Sequence, residues 1–456
     1  MAGPASTDHP MWSSRWLFVL AAAGSAVGLG NIWKFPYIAG ENGGGAFIVV
    51  YLGCVALVGI PIMMAEVLLG RDGRRNPINT MQILVKKAGA SRFWTVIGWM
   101  GALAGFLILS YYAVIAGWAL YYVMLMADGS FANITPQSAQ LALSHFQANP
   151  WAMIFWQTVF LTMTIYIVSK GVVKGLETAI KWFMPLLFLL LVILLGYSLT
   201  SGGFQQGFDF MFNFNWSAMR LDGFLVALGQ AFFTLSLGMG AIMAYGAYMP
   251  AKASISNTVV SIAVIDTLVA IAAGLAIFPV VFANGLEPGS GPGLMFVTVP
   301  LAFGQLPLGG LFGALFFLLV TFAAITSAIS LTEPALAYLV EEYNAKRARA
   351  AVTIGVVCWI LGIGTVLSFN YWSDIYLVGQ MTFFVAVDYL TQNIMLPLGG
   401  LLIALFTAYV LPKETVEREL GLRGGFWELL WQFLIKFVAP LGLATIFVYT
   451  LYTSLA

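Results

Sequence analysis

This sequence predicts an all-α integral membrane protein with eleven transmembrane helices, and three observations carry that prediction. Of its 456 residues 61% are hydrophobic and only 9% charged, against about 25% charged in soluble domains. The apolar residues are gathered into segments of about 20 or more, the length that crosses a bilayer. The first segment nevertheless holds Gly24, Gly28, Gly30, Asn31 and Lys34. Each glycine costs a helix ~1 kcal/mol relative to alanine, and bare backbone at membrane depth is tolerated only inside protein or facing a polar cavity. This span is expected to come apart and offer its carbonyls and amides to a ligand.

In chain order the apolar segments are 15–39, 44–70, 92–126, 151–169, 174–199, 219–248, 256–284, 306–340, 349–369, 378–411 and 426–454. Arg15 followed by Trp16 to Leu20 and small residues imitates a signal peptide. Its apolar core is shorter than the roughly 7–15 residues a signal needs, so the first span is expected to be retained. Loops on one side carry Arg71, Arg74, Arg75, Lys86, Lys87 and Arg92, then Lys170 and Lys174, Lys252, then Lys346, Arg347 and Arg349, and finally Lys413, Arg418 and Arg423; those on the other side hold only Arg220. The positive-inside rule makes the first group cytoplasmic. The N-terminus is then inside, the C-terminus outside, and the polar stretch 128–150 faces outward as a loop. Net charge is +1, which leaves no basic surface for nucleic acid. Cys54 and Cys358 sit in apolar runs as small hydrophobes and make no disulfide framework. His9 and His145 lie outside the spans and no cluster suits zinc, so a membrane enzyme is not expected.

Val27-Gly28-Leu29-Gly30 in span 1 is echoed by Leu237-Gly238-Met239-Gly240 in span 6, five spans later. An odd offset inverts the second copy, and glycine-interrupted segments at matching places of two halves point to a transporter site at the midplane. Around these echoes stand Glu41-Asn42-Gly43-Gly44-Gly45-Ala46-Phe47, Gly59-Ile60-Pro61 with Glu66, Ser110-Tyr111-Tyr112, the run Gln230 to Gly240, and Ala324-Ile325-Thr326-Ser327. With Gly24 to Phe35 this series resembles the neurotransmitter:sodium symporter family, in particular its bacterial amino-acid transporters. The resemblance implies a 5+5 inverted-repeat, leucine-transporter-type fold with spans 1 and 6 unwound at the midplane. The divisions are then a tail at 1–14, a first repeat at 15–200, an inverted repeat at 201–411, and a cytoplasmic loop with span 11 at 412–456. It implies a multi-pass protein of the bacterial cytoplasmic (inner) membrane that imports a hydrophobic amino acid with sodium, with no nucleic-acid partner and an oligomeric state left open.

Sodium is a hard cation that takes oxygen ligands, as calcium and magnesium do. The resemblance implies two sodium sites. The first is Ala26, Asn31, Thr234 and Asp266, closed by the substrate carboxylate; the second is Gly24, Val27, Ala323, Thr326 and Ser327. Small hydroxyl residues in spans commonly only pack or bond the preceding turn. Asp266 is more telling, since an ionisable residue within Ser261 to Phe278 costs at least ~2.5 kcal/mol at a span centre unless paired. Many family members have asparagine there and recruit chloride; a fixed carboxylate, with Ala270 where some relatives carry a glutamate, predicts transport without chloride. Gly28 stands where amine transporters of the family carry an aspartate, so a substrate carboxylate is expected to meet the amides of Ala26, Gly28, Leu29 and Gly30, the Tyr112 hydroxyl and sodium. Carbonyls near Phe233, Thr234 and Ser236 would take the ammonium. The side-chain pocket implied is Ile108, Tyr112, Ile115, Phe233, Ser236, Met239, Ser327 and Leu331, uncharged and so suited to branched or aromatic side chains. Met239 adapts to irregular shapes.

The resemblance further implies an outer gate of Lys34 and Asp388 above a lid of Tyr112 and Phe233, and an inner gate of Trp12, Tyr248 and Glu341. The family's arginine near position 9 is His9 here, so Arg15 or a low-pH His9–Glu341 pair is the expected substitute. Gly175 and Pro185 match a motif at which span 5 unwinds. An amino-acid sensor or channel on the same scaffold is the alternative reading.

Overall fold

A computed structural model describes residues 12–217, 219, 221–286, 293–421 and 425–455. Among these the extended pairings are two isolated bridges, Gly44 with Phe214 and Val378 with Met381; the rest of the regular structure is helical. Among the described residues nine helices are long and apolar enough to cross a membrane. In chain order with four shorter pieces, the elements are α1 (Arg15–Ala26), α2 (Gly30–Glu41), α3 (Gly45–Gly73), α4 (Arg92–Ala127), α5 (Pro150–Ser169), α6 (Val172–Leu199), α7 (Leu221–Thr234), α8 (Ala241–Ala247), α9 (Ile255–Ala283), α10 (Gly309–Tyr343), α11 (Arg347–Leu367), α12 (Phe383–Val410) and α13 (Phe426–Tyr449).

Burial sorts these helices. The most apolar stretches of α4 and α10 are 78% buried, those of α5, α6 and α13 only 33–39%, so α4 and α10 form the centre and the others present apolar flanks outward. A helix that is apolar all round belongs inside protein or in lipid, and both solutions occur here. Around the frame lie shorter helices, including Pro136–Gln147 inside the stretch expected to be a loop. Thr135 caps it by accepting from the Ser138 amide, and Pro136 occupies its first turn.

Both glycine-marked segments are interrupted. Ser14 caps α1 by accepting from the Leu17 amide, and α1 ends at Ala26, where Val27 turns extended (φ −68°, ψ 100°). The chain resumes as α2 at an angle of 61° to α1, so the single segment expected at 15–39 is two helices. Farther on, α7 ends at Thr234 and α8 begins at Ala241. Between them Ser236, Gly238 and Gly240 have φ of +55°, +78° and +72°, in the left-handed region that breaks a helix. Gly238 also has no room for a side chain, because a Cβ there would lie 2.5 Å from the Leu396 carbonyl oxygen. Its amide donates to Glu66 Oε1 at 2.5 Å, so a fully buried carboxylate from α3 satisfies an amide that the break leaves free.

Candidate functional site

The two breaks face each other. Ser236 Oγ donates to the Ser25 carbonyl at 2.9 Å, and Gln230 Nε2 donates to the Gly30 carbonyl at 3.1 Å. Main-chain groups freed from α1 and α7 therefore line one space between the central helices α4 and α10.

Two oxygen-rich clusters border it. In the first, Asp266 on α9 is fully buried. Its carboxylate accepts from Asn31 Nδ2 at 2.8 Å and from Thr234 Oγ1 at 3.2 and 3.1 Å. Asn31 Oδ1 accepts from the Gly28 amide at 3.2 Å, and Ala26 is buried. No ion pair reaches Asp266 among the described residues. An uncompensated carboxylate so placed is costly and calls for a cation; a small hard cation suits its oxygen-only neighbours. In the second cluster Ser327 Oγ donates to the Ser25 and Val27 carbonyls at 3.1 and 3.4 Å, and Thr326 Oγ1 to that of Ala323 at 2.9 Å. A Cβ on Gly24 would stand 3.3 Å from Thr326 Cβ and 2.9 Å from Met184 Sδ. Asn31, Thr234 and Asp266 are thus joined in one group, and Ser327 reaches the Val27 carbonyl while Thr326 bonds Ala323 in the other.

Between the clusters lies a cavity of about 30 Å³, lined by Ala26, Gly28, Leu29, Gly30, Ile108, Tyr112, Phe233, Thr234, Ser236, Met239, Ser327 and Leu331. One water needs ~10–15 Å³ of such space, so an amino acid fits only if the wall moves. Ile115, expected in the lining, is buried one turn farther along α4 and does not reach it. Ser25 and Ser330 do line it, joined Oγ to Oγ at 2.7 Å. The Leu29 amide donates to Tyr112 Oη at 3.5 Å. Gly28 is a close approach: a Cβ would meet Ser327 Oγ at 2.5 Å and Tyr112 Oη at 3.1 Å. No aspartate fits in this space.

The chain itself now matches known proteins. The model of the "Sodium:neurotransmitter symporter family" matches residues 9–141 and 137–455. The chain belongs to that family. It is 38% identical over 439 residues to the uncharacterized sodium-dependent transporter YhdH of Bacillus subtilis, covering 96% of each chain. It is 33% identical over 448 residues to an uncharacterized sodium-dependent transporter of Haemophilus influenzae, covering 97% of this chain and 98% of the other. Against the crystal structure of MhsT in complex with L-phenylalanine it has a TM-score of 0.88 at 43% identity, over 97% of this chain and 99% of that one. This symporter is accordingly a multi-pass, sodium-using membrane transporter.

The ends of the symporter's cavity are closed by polar groups. Toward α12 the expected Lys34–Asp388 pair is not direct. Lys34 Nζ donates to Gln392 Oε1 at 2.8 Å, and Gln392 Nε2 donates to Asp388 Oδ1 and, at 3.3 Å, to Tyr111 Oη. A neutral amide one helical turn beyond Asp388 thus stands between the ions, and it sets the ammonium 4.7 Å from the centre of the Phe233 ring. Toward the opposite end the Trp12 amide donates to the Tyr248 carbonyl at 3.1 Å, and Trp12 meets the Tyr245 ring edge-on at 5.5 Å. Glu341 accepts from the Asn76 amide at 3.0 Å and Nδ2 at 2.7 Å, with Arg75 at 3.9 Å. His9 lies outside the described residues. Arg15, the other substitute, instead donates to Thr258 Oγ1 at 3.3 Å.

The dominant ion pair at this end went unread in the sequence. Arg347 grips the fully buried Glu333 with both amino groups, at 3.0 and 2.5 Å, and Tyr248 Oη donates to the same carboxylate at 2.8 Å. An ionisable residue inside a span is a functional candidate by default, and that rule applied to Glu333 would have found it. Along α6, Gly175 lies in the irregular first turns and Pro185 in the continuous helix Thr178–Leu199. Glu177 between them accepts from Ser13 Oγ at 2.5 Å and Lys181 at 2.9 Å.

Proposed function

We propose that this transporter imports hydrophobic L-amino acids, branched or aromatic, together with two sodium ions, by alternating access and without chloride. The observation that carries the reading is the uncompensated carboxylate of Asp266, held by Asn31 and Thr234 at the point where both interrupted helices meet. A sodium ion at Ala26, Asn31, Thr234 and Asp266 would share its shell with the substrate carboxylate, so ion and amino acid bind as one unit. A second ion at Gly24, Val27, Ala323, Thr326 and Ser327 would fasten α1 to α10.

The substrate class rests on the lining. No charged side chain faces the cavity, so a charged or amide substrate side chain would lose its water without replacement. The relative MhsT was crystallised with L-phenylalanine, in keeping with an apolar lining. Gly28 leaves the substrate carboxylate free access to the amides after the break in α1, where a helix start favours an anion.

Counting α1 with α2 and α7 with α8 as one interrupted span each makes eleven crossings. They divide into inverted repeats at 15–200 and 201–411, with the N-terminus cytoplasmic and the C-terminus outside a bacterial inner membrane. Purified protein in proteoliposomes tests the reading. An inward sodium gradient should drive accumulation of labelled leucine or phenylalanine above the external level, unchanged when gluconate replaces chloride. Equilibration without accumulation, or uptake that vanishes in gluconate, would overturn it.

A further inference from the structure

Away from the transport path, α5 and α11 are joined at both ends, touch along their length and leave a groove open on their outward side. At one end Trp359 Nε1 donates to Thr158 Oγ1 at 2.8 Å. At the other, Arg347 Nε donates to the Val168 carbonyl at 2.8 Å. The groove measures about 490 Å³. Its walls are Thr162, Tyr166 and Ser169 on α5 and Ala348, Val352 and Gly355 on α11. The floor is a close contact, since a Cβ on Gly355 would lie 2.7 Å from Ile165 Cγ1.

Three exposed cations crowd the Arg347 end. Lys170 follows the lining residue Ser169, Arg349 follows Ala348, and Lys346 precedes them by one turn. None of the three is paired with a carboxylate among the described residues. Lys170 folds back so that its ammonium stands 4.7 Å from the centre of the Tyr166 ring in the groove wall. These cations belong to the set that orients the chain by the positive-inside rule, and they remain uncompensated at the surface. At one end of an apolar, outward-facing trough they match the two halves of an amphiphile, and each such cation near an anionic bilayer surface contributes ~1 kcal/mol of attraction.

We propose that this groove is a binding site for one anionic phospholipid, with an acyl chain between α5 and α11 and the phosphate against Lys170, Arg349 and Lys346. The headgroup then rests outside the corner where Arg347 ties α5, α11 and Glu333 together. Occupancy braces the closure on that side of the cavity.

Native mass spectrometry of the full, delipidated chain tests this with palmitoyl-oleoyl phosphatidylglycerol or phosphatidylcholine added at equal concentration. The first phosphatidylglycerol should bind at least about fivefold more tightly than phosphatidylcholine. The preference should vanish in the Lys170→Ala/Arg349→Ala variant, and Thr162→Trp, which fills the trough from an exposed position, should weaken both lipids. Free glycerol phosphate at the same concentration should not displace the lipid. Equal affinity for the two lipids in the unaltered protein, preference retained in the double variant, displacement by glycerol phosphate, or a lipid-free dimer that buries this face would each overturn the proposal. Thermal melting in nanodiscs guards against misfolded variants: phosphatidylglycerol should raise the melting temperature of the unaltered protein and not that of the double variant. A matching rise in both would place the lipid elsewhere.

Discussion

Asp266 concentrates the argument about ions into one side chain. Asparagine in its place keeps the size and can still meet Asn31 and Thr234, so Asp266→Asn removes a charge and little else. Uptake in gluconate should fall at least about tenfold, and chloride should restore part of it, because an anion would again be needed to balance sodium; equal rates with and without chloride would contradict the assignment. At the α12 end of the cavity, Gln392→Met keeps the length of the side chain and removes the contact between amide and ammonium. A hydrogen bond to a charged group is worth ~1.5–3 kcal/mol, and 1.4 kcal/mol is tenfold in a rate or equilibrium. Bound amino acid should therefore leave about ten times faster, measured by isotope dilution. The resemblance led to a direct Lys34–Asp388 pair, where the structure links the two through Gln392. Gln392 was not legible, although four residues from Asp388 on one helix face is neighbouring distance. A glutamine in an apolar run carries no periodic signal, and its meaning appears only when α2 is brought beside α12.

For whole elements, apolar length was the readable quantity, and it served well for helices such as α4 and α10. It failed where an element is short. The seven residues of α8 have no length signal at all, and only the Gly-x-Gly spacing marked the break before them. Helix Pro136–Gln147 was missed because the polar composition of 128–150 outweighed its Thr135-Pro136 start. The break itself should be measurable. Gly238→Ala forces a side chain into φ +78°, which costs ~1–2 kcal/mol, and pushes it onto the Leu396 carbonyl; the thermal midpoint should fall by several degrees and substrate affinity with it. The Arg347–Glu333 pair makes a sharper case. Arg347→Met leaves a fully buried carboxylate unpaired, which costs about 3–5 kcal/mol. Adding Glu333→Gln should recover most of the lost thermal stability, and a double variant no better than the single would show that the pair does not hold α10 to α11.

Taken as a whole, the molecule encloses a small, uncharged and largely apolar cavity between two closures of different kinds. One is the hydrogen-bonded chain Lys34–Gln392–Asp388 beside Phe233; the other is the larger arrangement of Trp12, Tyr248, Glu333 and Arg347. Opening them in turn is what coupling requires. Two sodium ions moving down 100 mV would supply ~4.6 kcal/mol, enough for roughly a thousandfold accumulation. Those ions hold the site together only if the amino acid cannot bind well without them. Equilibrium binding of labelled phenylalanine or leucine to the purified protein, in sodium chloride and in choline chloride at equal ionic strength, tests this most directly. The account predicts saturable binding that rises with sodium and falls to background in choline. Equal affinity in choline would contradict it.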